Sequence, residues 1–287
     1  MACSIGLVCD IGVGPGAGGR DRNEDNFLVC DSGEIWYRVD DQDQRLQQDG
    51  EGVLLVVCDG MGGHTDGHVA STAAVRVMAK LYQPGAPKRV ARVLQNYVME
   101  SHRALHRAAR RDGPVSMGTT LTAAWVVGHH CAWLQVGDSR LYLARDQQLF
   151  RLTADQTRNE FARRDGRPIS PRGDHLAQNF IFGSRGLGDD LSLRLDKGLD
   201  CGTEPLQKGD GLLLCSDGIS GVLADEEMAE IVASSADPQS AVEGLRARAL
   251  ERGSTDNVTA LLVRFDDLPQ QGESADWLDD PEETVQF

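Results

Sequence analysis

The sequence lacks any apolar run approaching the roughly 20 residues that a membrane-spanning helix needs. Its N-terminus has neither a basic region nor a long apolar segment, so it does not have the pattern of a secretory signal. With a formal net charge of −15, the chain also lacks the positive surface that general nucleic-acid binding requires. We therefore expect a cytoplasmic protein that binds neither membranes nor nucleic acid.

Cysteine pairs of the C-x-x-C type are also missing. The seven cysteines are odd in number and scattered, and most of them lie in apolar runs. This distribution favours buried, reduced thiols with a structural role over disulfides or a zinc site.

A complete nucleotide-binding signature is absent as well. Gly14, Gly16 and Gly19 match G-x-G-x-x-G, but no long buried strand precedes them and a strand rather than a helix is predicted to follow. The chain has no Gly-Lys-Ser/Thr sequence of a P-loop. We interpret the glycine-rich segment as a loop that carries Arg20.

What the sequence does have is acidic residues at the ends of apolar strands. The run Val53–Cys58 predicts a strand buried on both faces, and it ends in Asp59 and Gly60. The same pattern recurs at 132–136 before Asp138, at 212–215 before Asp217 and, in mirror image, at 258–263 after Asp256. If these strands are neighbours in one core, their acidic ends converge.

Converging carboxylates repel each other by ~4 kcal/mol per pair at about 4 Å and an effective dielectric near 20. No Lys or Arg adjoins Asp59, Asp217 or Asp256 in the sequence. Hard divalent cations bound through oxygen would offset this repulsion, and Mg²⁺ or Mn²⁺ suits such a site better than zinc. We therefore predict a multi-metal hydrolytic centre.

A second cluster consists of Arg20, Glu24 and Asp25. An arginine fork suits a phosphate group, and Asp25, just before a predicted strand, could reach the same metal centre. The alternative is a turn with solvated charges. Beside the strand-end aspartates we favour the functional interpretation.

The remaining pattern predicts an α+β layered domain. We expect strands at 4–11, 118–127, 131–137, 140–145, 148–152, 211–215 and 257–265, with the strands between 118 and 152 forming an antiparallel meander. Residues 32–51 predict an exposed hairpin or loop insertion. We expect helices at 67–81, 88–111, 224–235 and 238–252, and helical pieces with a flap over the site at 153–190. His102 and His106 are expected on a solvated basic face of the second helix.

Seven segments, in order, resemble the motifs of the metal-dependent protein phosphatases, the protein phosphatase 2C (PPM) family, in their bacterial form. They are Arg20-x-x-x-Glu24-Asp25, Asp59-Gly60-Met61-Gly62-Gly63-His64, Gly118-Thr119-Thr120, Gly137-Asp138-Ser139-Arg140, Ser184-Arg185-Gly186-Leu187-Gly188, Ser216-Asp217-Gly218 and Asp256-Asn257-Val258-Thr259. The resemblance extends from about residue 4 to residue 265.

This resemblance implies a four-layer α-β-β-α sandwich with two antiparallel sheets and a binuclear metal centre at one end. The catalytic domain would span 1–266, and 267–287 would be an acidic, disordered tail. The implied reaction is hydrolysis of phosphoserine or phosphothreonine in proteins, reversing a bacterial Ser/Thr kinase. A metal-bridging water or hydroxide would attack phosphorus in line, without a phosphoenzyme.

The resemblance also implies roles for individual residues. Two Mn²⁺ or Mg²⁺ ions would be bridged by Asp59, which is thereby catalytic, and Arg20 would bind the phosphate. Further metal contacts would come from the Gly60 carbonyl, Asp217 and Asp256, from Glu24 through water, from Asp25, and from Asp138 with Asp217 at a third ion.

The chain departs from the family pattern in three places. Met61 stands where animal members have a histidine thought to protonate the leaving group, so His64 or a metal-bound water is left for that role. Gln156 replaces the histidine of the Leu-Thr-x-Asp-His-Ser pattern. Residues 32–51 are longer than we expect for a bacterial member.

Two other functions remain open at this stage. The chain could be a pseudophosphatase that binds phosphoproteins, although every expected acid is present, or a hydrolase of small phosphoesters. We expect a monomer. The acidic sequence around Thr284 could be phosphorylated and bound by a forkhead-associated domain, or it could be a plain solubilising tail.

Overall fold

The computed structural model describes residues 1–39, 41–62, 67–80, 82, 92–94, 96–100, 102–103, 117–170 and 200–269. The strands of these ranges are β1 (Ala2–Asp10), β2 (Asn26–Asp31), β3 (Glu34–Val39), β4 (Gln42–Gln47), β5 (Val53–Cys58), β6 (Gly60–Gly62), β7 (Met117–Thr119), β8 (Leu121–Val127), β9 (His130–Val136), β10 (Arg140–Arg145), β11 (Gln148–Arg151), β12 (Asp200–Pro205), β13 (Gly211–Cys215) and β14 (Val258–Asp267). The labelled helices are α1 (Gly67–Ala79), α2 (Arg158–Arg164), α3 (Asp217–Ser220), α4 (Asp225–Ser234) and α5 (Pro238–Glu251).

The strands form two large antiparallel sheets. One sheet has five strands in the order β1-β14-β13-β10-β11, and the other has seven in the order β12-β9-β8-β5-β2-β3-β4. The short strands β6 and β7 pair separately, just beyond the end of β5. Every strand pair of the described residues is antiparallel.

Three apolar cores separate four layers. The central core lies between the two sheets. Strand β5 contributes Val53, Leu55 and Val57 to it, and these side chains share the core with Leu212 and Leu261 of the other sheet.

The remaining β5 side chains lie on the opposite face, because successive side chains of a strand alternate. Leu54 and Val56 therefore pack with Ala74 and Met78 of α1 in a second core. A third core packs the outer face of the five-stranded sheet against α4 and α5. The predicted α-β-β-α sandwich is confirmed.

Local sequence signals account for several element boundaries. The side chain of Asp237 accepts a hydrogen bond from the Ser240 N–H at 2.9 Å, and Pro238 occupies the first position of α5. This arrangement satisfies an otherwise unpaired amide and presets the backbone angle of the first turn. In α2, Thr157 plays the same capping role toward Glu160.

Most predicted elements agree with the structure to within a few residues. The edge strand, the 32–51 hairpin, α1, α4, α5 and the last strand are all present. Residues 92–94, 96–100 and 102–103 are helical, but the rest of the predicted 88–111 helix lies outside the described residues. So do the flap beyond residue 170 and the tail beyond residue 269.

The predicted meander between 118 and 152 is wrong. β8 and β9 form a hairpin in the seven-stranded sheet, whereas β10 and β11 form one in the five-stranded sheet. The chain crosses between sheets at Gly137, whose φ of 109° suits glycine. Hydrophobic periodicity identifies strands but does not choose their partners, which is why the crossing was missed.

Three smaller differences between the predicted and the observed elements concern strand pairing, burial and a strand end. Strands β6 and β12 were not predicted, since their residues have no strong apolar pattern. His102 is buried rather than on a solvated face. Strand β14 extends to Asp267, one residue into the predicted tail.

The described ranges include no helix with the length and apolar character that crossing a bilayer demands.

The packing of β1 against α5 predicts the effect of one substitution. A Cβ at Gly6 would overlap the Pro238 carbonyl, so the backbone of β1 or α5 must shift in Gly6→Ala. We expect a loss of about 1–3 kcal/mol in the free energy of unfolding, measured by thermal or urea denaturation. Gly16→Ala is the control, because nothing lies within 4 Å of its Cβ position. Equal stability of the two variants would contradict this packing.

Candidate metal centre

The sheet registers bring the predicted acidic residues to one end of the sandwich. Asn26 pairs with Cys58, so Asp25 and Asp59 leave the seven-stranded sheet side by side. In the other sheet, Cys215 lies between Arg140 and Ala260. The segments that carry Asp138, Asp217 and Asp256 therefore adjoin each other at the same end.

Asp25 connects the ends of the two sheets. Its Oδ2 accepts hydrogen bonds from the hydroxyls of Ser216, at 2.8 Å, and Thr259, at 2.7 Å. The Ser216 Oγ in turn accepts a hydrogen bond from the Thr259 N–H at 3.1 Å. All three side chains are buried, so this carboxylate is held in place by groups from the opposite sheet.

The backbone of Asp59 is fixed by neighbouring threonines. Its N–H donates to Thr120 Oγ1 at 2.9 Å, and its carbonyl accepts from the Thr120 N–H at 2.9 Å and from Thr119 Oγ1 at 3.0 Å. Thr120 Oγ1 also lies 2.7 Å from Ser139 Oγ. These bonds set the direction in which Asp59 leaves β5.

Glycine is required where the backbone segments around Glu24 meet. A Cβ at Gly60 would overlap the carbonyl oxygens of both Glu24 and Gly67. The Gly67 N–H donates to Glu24 Oε1 at 3.1 Å, and the Glu24 N–H donates to Asn257 Oδ1 at 2.8 Å. Glu24 and Gly60 are therefore packed together beside the Asp256-Asn257 turn.

Burial and mutual repulsion disfavour the charged forms of these acids. Burial, followed by the charges of Asp25 and Asp217, raises the pKa of Asp59 well above its ordinary value. Burial raises the pKa of Asp25 to about 7 and that of Asp138 to about 7. The pKa of Asp217 is raised by burial and then by Asp256. Burial also raises the pKa of Glu24.

Asp256 is engaged by an arginine. Arg20 donates to it through Nε at 2.8 Å and through Nη2 at 2.6 Å. The Arg20 and Asp256 side chains are 54% and 34% exposed, and exposed ion pairs contribute only about 0.2–1 kcal/mol to stability. No basic residue adjoins Asp256 in the sequence, so this contact between residues 236 positions apart was not foreseen.

These residues fit a divalent metal centre by the chemistry of their donors. They supply carboxylate oxygens, and burial raises the free energy of the charged carboxylate form. Hard cations prefer oxygen ligands. Oδ1 of Asp217 is buried and has no hydrogen-bond partner in the described part of the chain. Within the same ranges, no three His, Cys, Asp or Glu side chains are already arranged around one ion position. In this arrangement Asp256 is bonded to Arg20 instead.

Several residues that hold the acids were not singled out from the sequence. They are Ser216 and Thr259 at Asp25, Thr119 and Thr120 at Asp59, and Asn257 at Glu24. Each lies inside a motif that was noted for its acid or glycine, and that adjacency was the available signal.

The Asn257 side chain binds the backbone of three other residues, of which Glu24 is one. Its side-chain amide also donates to the carbonyls of Ile11 and Arg22, both at 3.1 Å.

Two residues were considered in the sequence for the step that protonates the leaving group. Met61, at the position where animal members have histidine, lies in β6. His64, the suggested substitute, lies outside the described residues.

Comparison with known proteins identifies the fold and the family. The family model described as "Protein phosphatase 2C" matches residues 38–252. The chain belongs to the protein phosphatase 2C family. It is 31% identical over 252 residues to the "Serine/threonine phosphatase stp" of Listeria monocytogenes, an alignment that covers 85% of this chain and 97% of that protein. The confirmed membership agrees with the seven motifs read from the sequence.

Solved structures of serine/threonine phosphatases superpose on the chain. The serine/threonine phosphatase PstP/Ppp of Mycobacterium tuberculosis matches with a TM-score of 0.73 and 26% identity, over 93% of this chain and 100% of that one. The catalytic domain of PstP in complex with two manganese ions matches with a TM-score of 0.70 and 27% identity, over 91% and 97%.

The raised pKa of Asp138 predicts a pH-dependent stability. In the metal-free protein the carboxyl binds a proton more tightly when folded, with a pKa of about 7 against 3.8. Wild type therefore loses stability relative to Asp138→Asn as the pH rises from about 4 to about 7, by at most about 1.4 kcal/mol per pH unit. Denaturation of both proteins in EDTA across this range measures the difference. A difference that does not change with pH would contradict the electrostatic account.

Proposed function

We propose that this chain is a metal-dependent protein phosphatase that hydrolyses phosphoserine and phosphothreonine. The observation that carries the proposal is the buried cluster of mutually repelling acids at one end of the sandwich. Within this cluster, Oδ1 of Asp217 is buried and has no hydrogen-bond partner among the described residues. Membership of the 2C family and the two manganese ions of the PstP catalytic domain support the same assignment.

The proposed ligands keep the roles that the family resemblance implies. Asp59 would bridge two Mn²⁺ or Mg²⁺ ions, with Asp217, Asp256 and the Gly60 carbonyl as further ligands. Glu24 would act through water and Asp25 would support the same centre, while a third ion would use Asp138 with Asp217. When bound, the cations would lower the pKa of a water and provide a nucleophile for phosphorus.

The described side chains favour direct attack by water over a phosphoenzyme. Ser216 and Ser139 are buried, and their hydroxyls are engaged by Asp25 and Thr120. Burial raises the pKa of the Cys58 thiol, and it raises that of Cys215 to about 12. A thiol with a raised pKa forms little thiolate and is a poor nucleophile.

Arg20 is proposed to bind the phosphate group. Its guanidinium lies at the mouth of the acidic cluster and already forms a two-point contact with a carboxylate, which is the geometry that also suits a phosphate. Asp256 would exchange Arg20 for a cation, and Arg20 would then be available to the substrate phosphate. Cation binding and phosphate binding would favour each other, because the cation would remove Asp256 from Arg20 and the phosphate would remove Arg20 from Asp256.

The proposal extends to the cellular context. We infer a cytoplasmic monomer that reverses the action of a Ser/Thr kinase, as a phosphatase of this specificity requires such an enzyme to supply its substrate. Thr284 as a forkhead-associated ligand remains a separate proposal from sequence alone, since it lies outside the described residues. Failure of a kinase from the same cell to modify Thr284 would remove it.

Asp59→Asn tests the central assignment. Wild type in Mn²⁺ should release phosphate from a phosphothreonine peptide, EDTA should abolish the activity, and Asp59→Asn should reduce it by at least about 1000-fold, because one shared ligand serves both ions. Glu251→Gln, at a side chain 68% exposed on α5, is the matched control and should leave the rate unchanged.

The same assay separates the other functions. Folded wild type without turnover in Mn²⁺ would indicate a pseudophosphatase. Faster hydrolysis of sugar or nucleotide phosphates than of phosphopeptides would indicate a small-molecule phosphatase.

Arg20→Ala tests phosphate binding. Loss of charged hydrogen bonds to the substrate should lower kcat/KM for the phosphopeptide by about 10- to 100-fold, measured at saturating Mn²⁺. Arg103→Ala is the control, because the Arg103 side chain is equally exposed, at 54%, and is paired with Glu100. An unchanged kcat/KM in Arg20→Ala would exclude Arg20 from substrate binding.

A further inference from the structure

The turn that carries Asp138 is held by two buried glutamines. Gly137, which precedes Asp138, donates its N–H to Gln156 Oε1 at 2.7 Å. Its carbonyl accepts from Gln135 Nε2 at 2.9 Å and from the Gln156 N–H at 3.0 Å. Gln135 and Gln156 are 0% and 3% exposed. Both polar groups of Gly137 are therefore bound by groups that water does not reach.

Steric packing fixes the same turn from the other side. A Cβ at Gly137 would lie 2.6 Å from Thr120 Cγ2, and its φ of +109° is unfavourable for other residues. Thr120 is the residue that also binds the backbone of Asp59. The Asp138 turn is thus packed directly against the residue that orients Asp59.

The chain just after Asp138 is also bonded to the segment that contains Gln156. Arg140 donates through Nε and Nη2 to the two carboxylate oxygens of Asp155, at 3.0 Å and 2.8 Å. Asp155 and Gln156 are adjacent, and Thr157 separates them from the start of α2. The segment 155–156 therefore bonds to the chain both before and after Asp138.

We propose that Gln156 is a positioning residue for Asp138, which it holds by fixing the Gly137 backbone. The inference rests on the proposed role of Asp138 as a ligand of a third cation. Gln156 acts through the backbone and contacts neither substrate nor cation. It stands at the position of Leu152-Thr153-Ala154-Asp155-Gln156-Thr157 where the family pattern has histidine, so this chain uses an amide oxygen to accept the Gly137 N–H.

The test measures the Mn²⁺ requirement of wild type and Gln156→Met. Methionine has a similar volume but cannot accept the Gly137 hydrogen bond strongly, so the turn loses one of the hydrogen bonds that fix it and Asp138 is held less tightly. We expect the Mn²⁺ concentration for half-maximal phosphopeptide hydrolysis to rise about tenfold, with KM for the peptide unchanged at saturating Mn²⁺. Direct Mn²⁺ binding, followed by electron paramagnetic resonance, should show a matching loss of the weakest site.

Gln239→Met is the matched control. The Gln239 amide also bridges a backbone N–H and carbonyl, those of Leu7 at 3.0 and 3.2 Å, but on the exposed edge of β1. Its Mn²⁺ requirement should equal that of wild type. Gln156→His should recover much of the wild-type requirement, because its Nε2 can accept the same hydrogen bond.

A double-substitution cycle separates positioning from general destabilisation. In an Asp138→Asn background, Gln156→Met should cause no further change in the Mn²⁺ requirement, because the residue that it positions is already altered. An additional tenfold change there would overturn the proposal. Thermal unfolding of every variant identifies any that does not fold. If Gln156→Met is one of them, Gln156→Asn replaces it, because its side chain is one methylene shorter and cannot make the same bond to the Gly137 N–H.

The outcomes distinguish this inference from the proposed function. If Asp138→Asn raises the Mn²⁺ requirement but Gln156→Met does not, Gln156 has no positioning role. If Asp138→Asn leaves Mn²⁺ binding unchanged, the third-ion role of Asp138 is wrong and the inference falls with it. If wild type neither binds Mn²⁺ nor hydrolyses the peptide, the proposed function itself fails.

Discussion

The structure depends on keeping carboxylates that repel one another buried at one end of a sandwich. Burial and the charges of Asp25 and Asp217 raise the pKa of Asp59 well above its usual value. Such an arrangement works against folding of the metal-free chain, because the charged forms lose hydration and gain repulsion. A divalent cation reverses both effects. In the proposed function, the stability that the acids remove from the apo protein would reappear as affinity for the metal.

The rest of the site is built to hold these acids in spite of their repulsion. The hydroxyls of Ser216 and Thr259 reach across from one sheet to Asp25 of the other. Thr120 fixes the backbone of Asp59 and packs against Gly137. These neutral donors orient the carboxylates without neutralising their charge, which is what a cation site needs. Among the described residues, the only arginine paired with a proposed ligand is Arg20, and that pair is partly exposed.

The strand ends at Asp59, Asp217 and Asp256 were predictable because each has a local sequence signal, an apolar run next to an acidic residue. The division of 118–152 between two sheets was not, since Gly137 marks a turn but not the sheet to which β10 returns. The bond from Arg20 to Asp256 and the contacts of Gln156 join residues far apart in sequence. The side chains that support the acids were missed for the same reason. The metal roles themselves remain proposals from motif and chemistry.

Diffraction at the manganese absorption edge, from crystals grown with Mn²⁺, tests the central claim most directly. The account predicts two strong anomalous peaks within about 2–2.5 Å of carboxylate oxygens. Asp59 should lie between them, and Asp256 should have turned from Arg20 to one of them. A Mn²⁺-saturated crystal with no peak among these acids, and with the Arg20–Asp256 pair intact, would contradict it.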